Sequence, residues 1–285
     1  MRQLHLFEKE IVHKAPNVAS VPQYSPLRYP GGKTWLYPFA KQWLHDKKEK
    51  FLIEPFAGGA SVGLAAAIEG WVDHVILVDL DDNIFSFWDA LINGYGDWLA
   101  DQVLDFDFTE KNINDTLNKK KMDAKEKAFA LLLNNRISHG GIMAIGAGRI
   151  KNGENGKGLS SRWYPQTLNH RIKKICKVAD RISIVKDDAF EFTKNFLSND
   201  KAIFFFDPPY TKAGKRLYQH FQIDHEKLFK VSKKLKGDFL ITYDFSEEIL
   251  SYAKKYDLFY EKVLMQTTHL IKKHELLISK DSGWL

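Results

Sequence analysis

Ile203-Phe204-Phe205-Phe206-Asp207-Pro208-Pro209-Tyr210 is a short apolar run that ends in an acid, two prolines and a ring. Four apolar residues bounded this way suit a strand buried on both faces, as in a parallel sheet. The acid then lands at the strand's exposed carboxyl end. Pro208 and Pro209 fix the backbone beyond it and remove two amide donors, so nearby carbonyl oxygens are free to accept hydrogen bonds. Tyr210 adds a ring able to stack on a planar base. An amine lying between a carboxylate, a proline carbonyl and an aromatic face is held by its two N–H groups. Its lone pair is then turned toward an electrophile. Taken alone, the same residues are better explained as a proline-terminated strand with a capping aspartate.

Similar runs lie on both sides: Phe51–Glu54, Val75–Asp79, Ile182–Lys186, Phe239–Tyr243, Lys262–Gln266 and Glu275–Ser279, which with Ala202–Asp207 make seven predicted strands. Helical periodicity separates most of them, at Thr34–His45, Ser61–Glu69, Ile84–Ile92, Ala124–Ser138, Gln166–Val178, His225–Leu235 and Glu247–Lys254. Alternation of this kind predicts an α/β fold around a largely parallel sheet. The last two strands have no helix between them and predict an antiparallel edge hairpin. Between the second and third strands the rhythm breaks. The stretch 81–181 is far longer than a crossover needs and is expected to be an inserted, largely helical subdomain. The catalytic domain is then built from 26–80 and 182–285, with 1–25 as an extended tail.

Two further stretches sit at the carboxyl ends of strands, where open α/β sheets bind ligands. Glu54-Pro55-Phe56-Ala57-Gly58-Gly59-Ala60-Ser61 runs from a strand through small residues into a helix, so backbone can approach a ligand closely. Asp79 ends the next strand, placed to accept hydrogen bonds from both ribose hydroxyls of a nucleoside. A lone acid there is more often a helix cap; 25 residues beyond Glu54 in the adjacent strand, the ligand reading gains. Together the three stretches point away from a merely structural role.

Charge is uneven. From Arg149 to Arg181 there are nine basic residues against Glu154 and Asp180, a local excess of seven in a chain whose total is +6. The glycine-rich segment from His139 to Gly158 overlaps this basic stretch. A polyanionic partner fits, although glycine richness alone also fits a plain surface insertion. The lone Cys176 forms no internal disulfide and suits a reducing cytoplasm. No signal-like segment opens the chain, and no apolar run is of membrane-spanning length. No metal-ligand cluster stands out.

In this order, the motifs resemble the Dam-like (D12 class) family of DNA adenine-N6 methyltransferases, from Pro26 to Ser279. The resemblance is carried by Arg28-Tyr29-Pro30-Gly31-Gly32-Lys33, by Glu54 to Ser61, Asp79, Asp188 in Lys186-Asp187-Asp188-Ala189-Phe190, and Asp207 to Tyr210. Leu217-Tyr218-Gln219-His220, Asp224-His225-Glu226 and Gly237 to Tyr243 extend it. It implies a Rossmann-like class I methyltransferase with S-adenosylmethionine as cofactor and no metal. Cofactor contacts are then expected from Tyr29, Lys33, Glu54, Phe56, Gly58, Gly59, Asp79, Asp188 and Asp207. Asp207, Pro208, Pro209 and Tyr210 become the catalytic group, holding the amine of a base flipped out of duplex DNA. The insert becomes the DNA reader, with Arg136, Arg149, Lys151, Lys157 and Arg162 as expected contacts to phosphate or base. Asn135-Arg136-Ile137-Ser138-His139-Gly140-Gly141 departs from the pattern of enzymes that recognise GATC, so that target does not carry over. Asp before Pro-Pro-Tyr favours adenine over cytosine N4 or a glutamine amide. Gln3-Leu4-His5-Leu6-Phe7 resembles the short motif with which bacterial proteins dock on the sliding clamp. A nucleoid-associated cytoplasmic monomer is the expectation.

Overall fold

A computed structural model describes residues 13–29, 32–47, 50–142, 148–153, 156–210, 223–265 and 273–285. Its centre is one sheet of β1 (His13–Lys14), β2 (Phe51–Glu54), β3 (His74–Asp79), β4 (Ile182–Lys186), β5 (Ala202–Phe206), β6 (Phe239–Asp244), β7 (Phe259–Met265) and β8 (Lys273–Ser279). The order is β1-β7-β8-β6-β5-β2-β3-β4. Strands β4, β3, β2, β5 and β6 run parallel, and β8 is antiparallel to both β6 and β7. This is the expected Rossmann-like, largely parallel sheet, with the predicted antiparallel hairpin near one edge. The eighth strand is a small addition to the seven foreseen: two residues of the N-terminal segment pair in parallel with β7. Two residues are too few to show any period in sequence.

The apolar run that opened the reading behaves as a doubly buried strand. Phe204, Phe205 and Phe206 are fully enclosed, and alternation sends them to opposite faces. Ile203 and Phe205 join one core cluster with Leu52, Val75 and Leu77. Phe204 and Phe206, stacked at 5.4 Å, join the other with Ile53, Phe239 and Ile241. Each enclosed side chain contributes roughly 1.5–3 kcal/mol of burial free energy, so the register is strongly determined.

Helices α1 (Tyr37–Trp43), α2 (Ser61–Glu69), α8 (Ala189–Lys194), α9 (His225–Ser232) and α10 (Glu247–Lys255) accompany the strands. Between β3 and β4 lie α3 (Asp82–Ala90), α4 (Gly96–Asp105), α5 (Glu110–Leu117), α6 (Ala124–Ile137) and α7 (Pro165–Cys176). Sequence caps set several of these boundaries. Asp81 caps α3, Thr109 caps α5, and Asp123 with Glu126 forms a reciprocal capping box on α6, a signature that fixes a helix start. Phe87, Trp88, Leu99, Leu132 and Ile172 from this stretch share a core cluster with Leu52 and Val75 of the sheet. No helix among the described residues is long and apolar enough to cross a membrane. The clamp-like Gln3–Phe7 lies outside the described residues.

Candidate active site and basic groove

The order of strands reverses between β2 and β5, and the carboxyl ends of those strands open the crevice where α/β sheets bind ligands. A cavity of about 480 Å³ lies there, lined by Tyr29, Lys33, Glu54, Phe56, Gly58, Gly59, Asp79, Asp188, Asp207 and Pro209 among others. All nine residues expected to hold the cofactor are therefore brought together, from segments spread over 179 positions of the chain.

Tight backbone makes the floor of this cavity. Gly58 has φ +44°, and a Cβ on it would lie 2.6 Å from the Tyr29 ring; one on Gly59 would lie 2.9 Å from the Tyr29 Cβ. Only glycine admits both the left-handed turn and the ring across it. Asp79 anchors the turn, its two carboxylate oxygens accepting the Gly58 and Asp81 N–H groups at 2.8 and 2.9 Å. The Trp88 indole N–H donates to the Gly58 carbonyl at 2.9 Å. Glu54 is buried and accepts the Gly63 N–H at 2.9 Å. Burial pushes its carboxyl well above the ordinary range, and the nearby Asp207 and Asp79 add to the shift. Asp188 caps α8 through the Phe190 and Glu191 N–H groups and also lines the cavity. A cradle of glycine backbone walled by a ring, with acids at two successive strand ends, fits S-adenosylmethionine.

Asp207 stands at the end of β5. Its Oδ1 accepts a hydrogen bond from the Thr242 hydroxyl at 2.9 Å and an ion pair from Lys33 Nζ at 2.9 Å. The lysine side chain is only 2% exposed, against 21% for the aspartate. Its ammonium also donates to the Tyr210 hydroxyl and lies 4.7 Å from that ring's centre. Burial raises the Asp207 pKa, and Lys33 and Thr242 partly offset the rise. A nitrogen bearing N–H groups thus sits between a carboxylate and an aromatic ring. Pro208 and Pro209 are buried beside it. Tyr210 in turn donates to Glu275 Oε2 at 2.5 Å.

The N-terminal segment crosses the cavity mouth and is tied down by the helices that precede β4. Arg171 donates to the Ser25 carbonyl at 2.8 Å and to Gln23 at 3.0 Å. Asn135 accepts the Arg28 N–H at 2.8 Å and donates to the Arg28 carbonyl at 2.7 Å. Arg136, expected at the DNA, is instead 5% exposed and donates to the Pro26 carbonyl. Burial and the neighbouring Arg171 and Arg28 push its guanidinium below the ordinary value. Its position in α6, one residue from the helix end, turns it inward under the segment rather than out to solvent.

The other basic residues remain outside. Arg149 and Lys151 are exposed, and with Arg28, His139 and Arg162 they line a second groove. Arg28, Gly140 and Arg162 line both groove and cavity, so the two adjoin. An antiparallel bridge between Ser138 and Arg149 pinches the glycine-rich loop at its base, and Arg149 donates to Asn114 Oδ1 at 2.8 Å. Lys157 is exposed and lines neither. Sequence reading missed Thr242, Glu275, Asn135 and Arg171. Thr242 lay inside a quoted motif without a role, whereas Glu275 sits on β8, between β7 and β6, with no local pattern to mark it.

The family model for D12 class N6 adenine-specific DNA methyltransferases matches residues 29–276, while no curated protein matches in sequence. Among solved structures, a proposed RNA methyltransferase of Pyrococcus horikoshii is similar at 8% identity and TM-score 0.43, covering 92% of each chain. An rRNA methylase of Streptococcus thermophilus is similar at 11% identity and TM-score 0.37, covering 86% of this chain and 94% of that one. An rRNA methyltransferase of Streptomyces viridochromogenes gives 11% and 0.40, covering 87% and 83%. With its motifs assembled in one cavity and nearly its whole length matched, the chain belongs to the D12 class N6 adenine-specific DNA methyltransferase family, enzymes that depend on S-adenosylmethionine.

Proposed function

We propose that this protein transfers a methyl group to the N6 amine of an adenine flipped out of duplex DNA. The observation that carries the reading is the Lys33 ammonium lodged between the Asp207 carboxylate and the Tyr210 ring. A pocket that holds one nitrogen through its N–H groups against an aromatic face suits an exocyclic amine on a planar base. S-adenosylmethionine, when bound, supplies an electrophilic methyl group. Asp207 accepts an N–H of the target amine, Pro208 contributes a carbonyl for the other, and Tyr210 stacks on the base. The amine's lone pair then faces the cofactor side of the cavity, and catalysis is positioning and electrostatics. No covalent link to the protein is needed. Asp188, Asp79 and the glycine turn hold the cofactor beside this corner.

Extruding a base from the duplex costs a few kcal/mol, which contacts elsewhere must offset. The groove lined by Arg149, Lys151 and Arg162 adjoins the cavity, which supports a duplex lying along it, with Lys157 beside it. Arginine suits guanine edges and lysine suits phosphate.

The test is transfer of labelled methyl from S-adenosylmethionine to mixed-sequence genomic DNA, with nucleoside mass spectrometry of the product. N6-methyladenine is the expected product. N4-methylcytosine would overturn the choice of base. Transfer to RNA or protein but to no DNA would overturn the substrate.

A further inference from the structure

We propose that Glu275 is a positioning residue for the reaction, holding the Tyr210 ring in the orientation that receives the target base. The Tyr210 hydroxyl is gripped from both sides. Lys33 donates to it, and it donates in turn to Glu275 Oε2 at 2.5 Å. The three partners come from separate parts of the fold: the segment before α1, the carboxyl side of β5, and β8. Glu275 lies where the antiparallel strand pairs with Asp244 of β6 on one side and Val263 of β7 on the other, so its backbone is fixed by two ladders. An acceptor on so rigid a support suits orientation of a ring that follows two prolines at the start of a connection.

A free tyrosine ring swings about its Cα–Cβ bond, and a hydroxyl tethered at the far end of the ring restrains that swing. Rotation about Cβ–Cγ, whose axis passes through the hydroxyl oxygen, is left to packing. Tyr243 packs beside it at 6.1 Å and 34°, which limits tilt but leaves the ring's depth in the pocket to the hydroxyl. The tether also spares a buried phenol from standing without an acceptor. Burial pushes both the Tyr210 hydroxyl and the Glu275 carboxyl upward in pKa. Small misplacements of a reacting base are expensive in rate. The inference rests on Tyr210 being the ring against the base.

A double-mutant cycle on the full-length enzyme tests it, with labelled-methyl transfer to DNA as the readout. Glu275→Met removes the acceptor at similar length and should lower kcat about ten-fold, with the calorimetric affinity for S-adenosylmethionine unchanged. Glu275→Gln keeps a carbonyl acceptor and should recover most of the loss. In a Tyr210→Phe background, Glu275→Met should have no further effect, because the hydrogen bond is already gone. Equal, additive losses in both backgrounds would overturn the proposal and leave Glu275 a strand residue. Should Glu275→Met fail to fold, Tyr210→Phe removes the same bond without touching β8, and an unchanged kcat there would overturn it equally. Wild-type transfer by Tyr210→Ala would instead remove the underlying assignment of the ring.

Discussion

The charged groups around Asp207 and those between Arg149 and Arg162 sit at opposite ends of the range of solvation. At the end of β5, Lys33 is 2% exposed and engaged by Asp207 and Tyr210, and each polar neighbour is fixed by another. In the glycine-rich stretch, Arg149, Lys151 and Lys157 are exposed. A corner of the first kind is costly to assemble but requires no rearrangement of its dipoles when charge shifts in the reaction. A surface of the second kind leaves long cationic side chains to settle on a polyanion, with salt screening the attraction. Arg136, in the helix just before that stretch, shows that closeness in the chain does not decide which kind a residue joins, because helix phase carried it inward.

Changes on the two sides should therefore fail differently. The largest effect is expected from Asp207→Ala, which should lower labelled-methyl transfer by about 10³-fold or more while leaving DNA binding intact. Activity within ten-fold of wild type would dissolve the contrast. Arg136→Leu should cost about 2 kcal/mol of folding stability in urea titrations, the scale of a hydrogen bond to a charged group. It should leave the salt dependence of DNA binding as it was. Lys151→Ala and Lys157→Ala should do the reverse, with melting temperature unmoved. For each side chain that meets phosphate, DNA binding should weaken a few-fold and the slope of log affinity against log salt should drop by about 1. A variant that leaves both unchanged marks a lysine off the DNA path.

The smallest effect is in pH. Ionised Asp207 is needed to accept an amine N–H, and burial lifts its pKa above the ordinary 3.8. The acid limb of kcat/KM should accordingly lie above that value, and Lys33→Met, which removes the offsetting charge, should move it higher still. The sign for stability is opposite to that of an ordinary ion-paired aspartate. The folded state holds this proton more tightly than the unfolded chain. Ionising Asp207 therefore costs stability as pH rises through the window above 3.8, and Asp207→Asn should flatten that dependence in denaturation measurements.

Five strands were legible to within a residue, β2, β3, β4, β5 and β6, because each is an apolar run closed by a polar boundary. The edge hairpin was harder: β7 begins three residues before the predicted Lys262, since Phe259 and Tyr260 border a turn and carry only half a pattern. Helices α4 and α5 were foreseen only as part of a helical insert, and β1 was missed. The cofactor cradle was legible because its motifs are local, with glycines, an acid and a strand end inside single short windows.

Local chemistry thus determined which residues stand at strand ends and which turns demand glycine, since both depend on a few neighbouring residues and on the alternation of side chains. Only tertiary structure decided that Lys33 fills the corner between Asp207 and Tyr210, that Glu275 reaches Tyr210 from 65 positions away, and that Arg136 braces Pro26 across 110. Such partnerships are fixed by how strands order in the sheet and how a helix is rotated against it. Those choices are made by the packing of the whole core, and leave no trace in any short stretch of sequence.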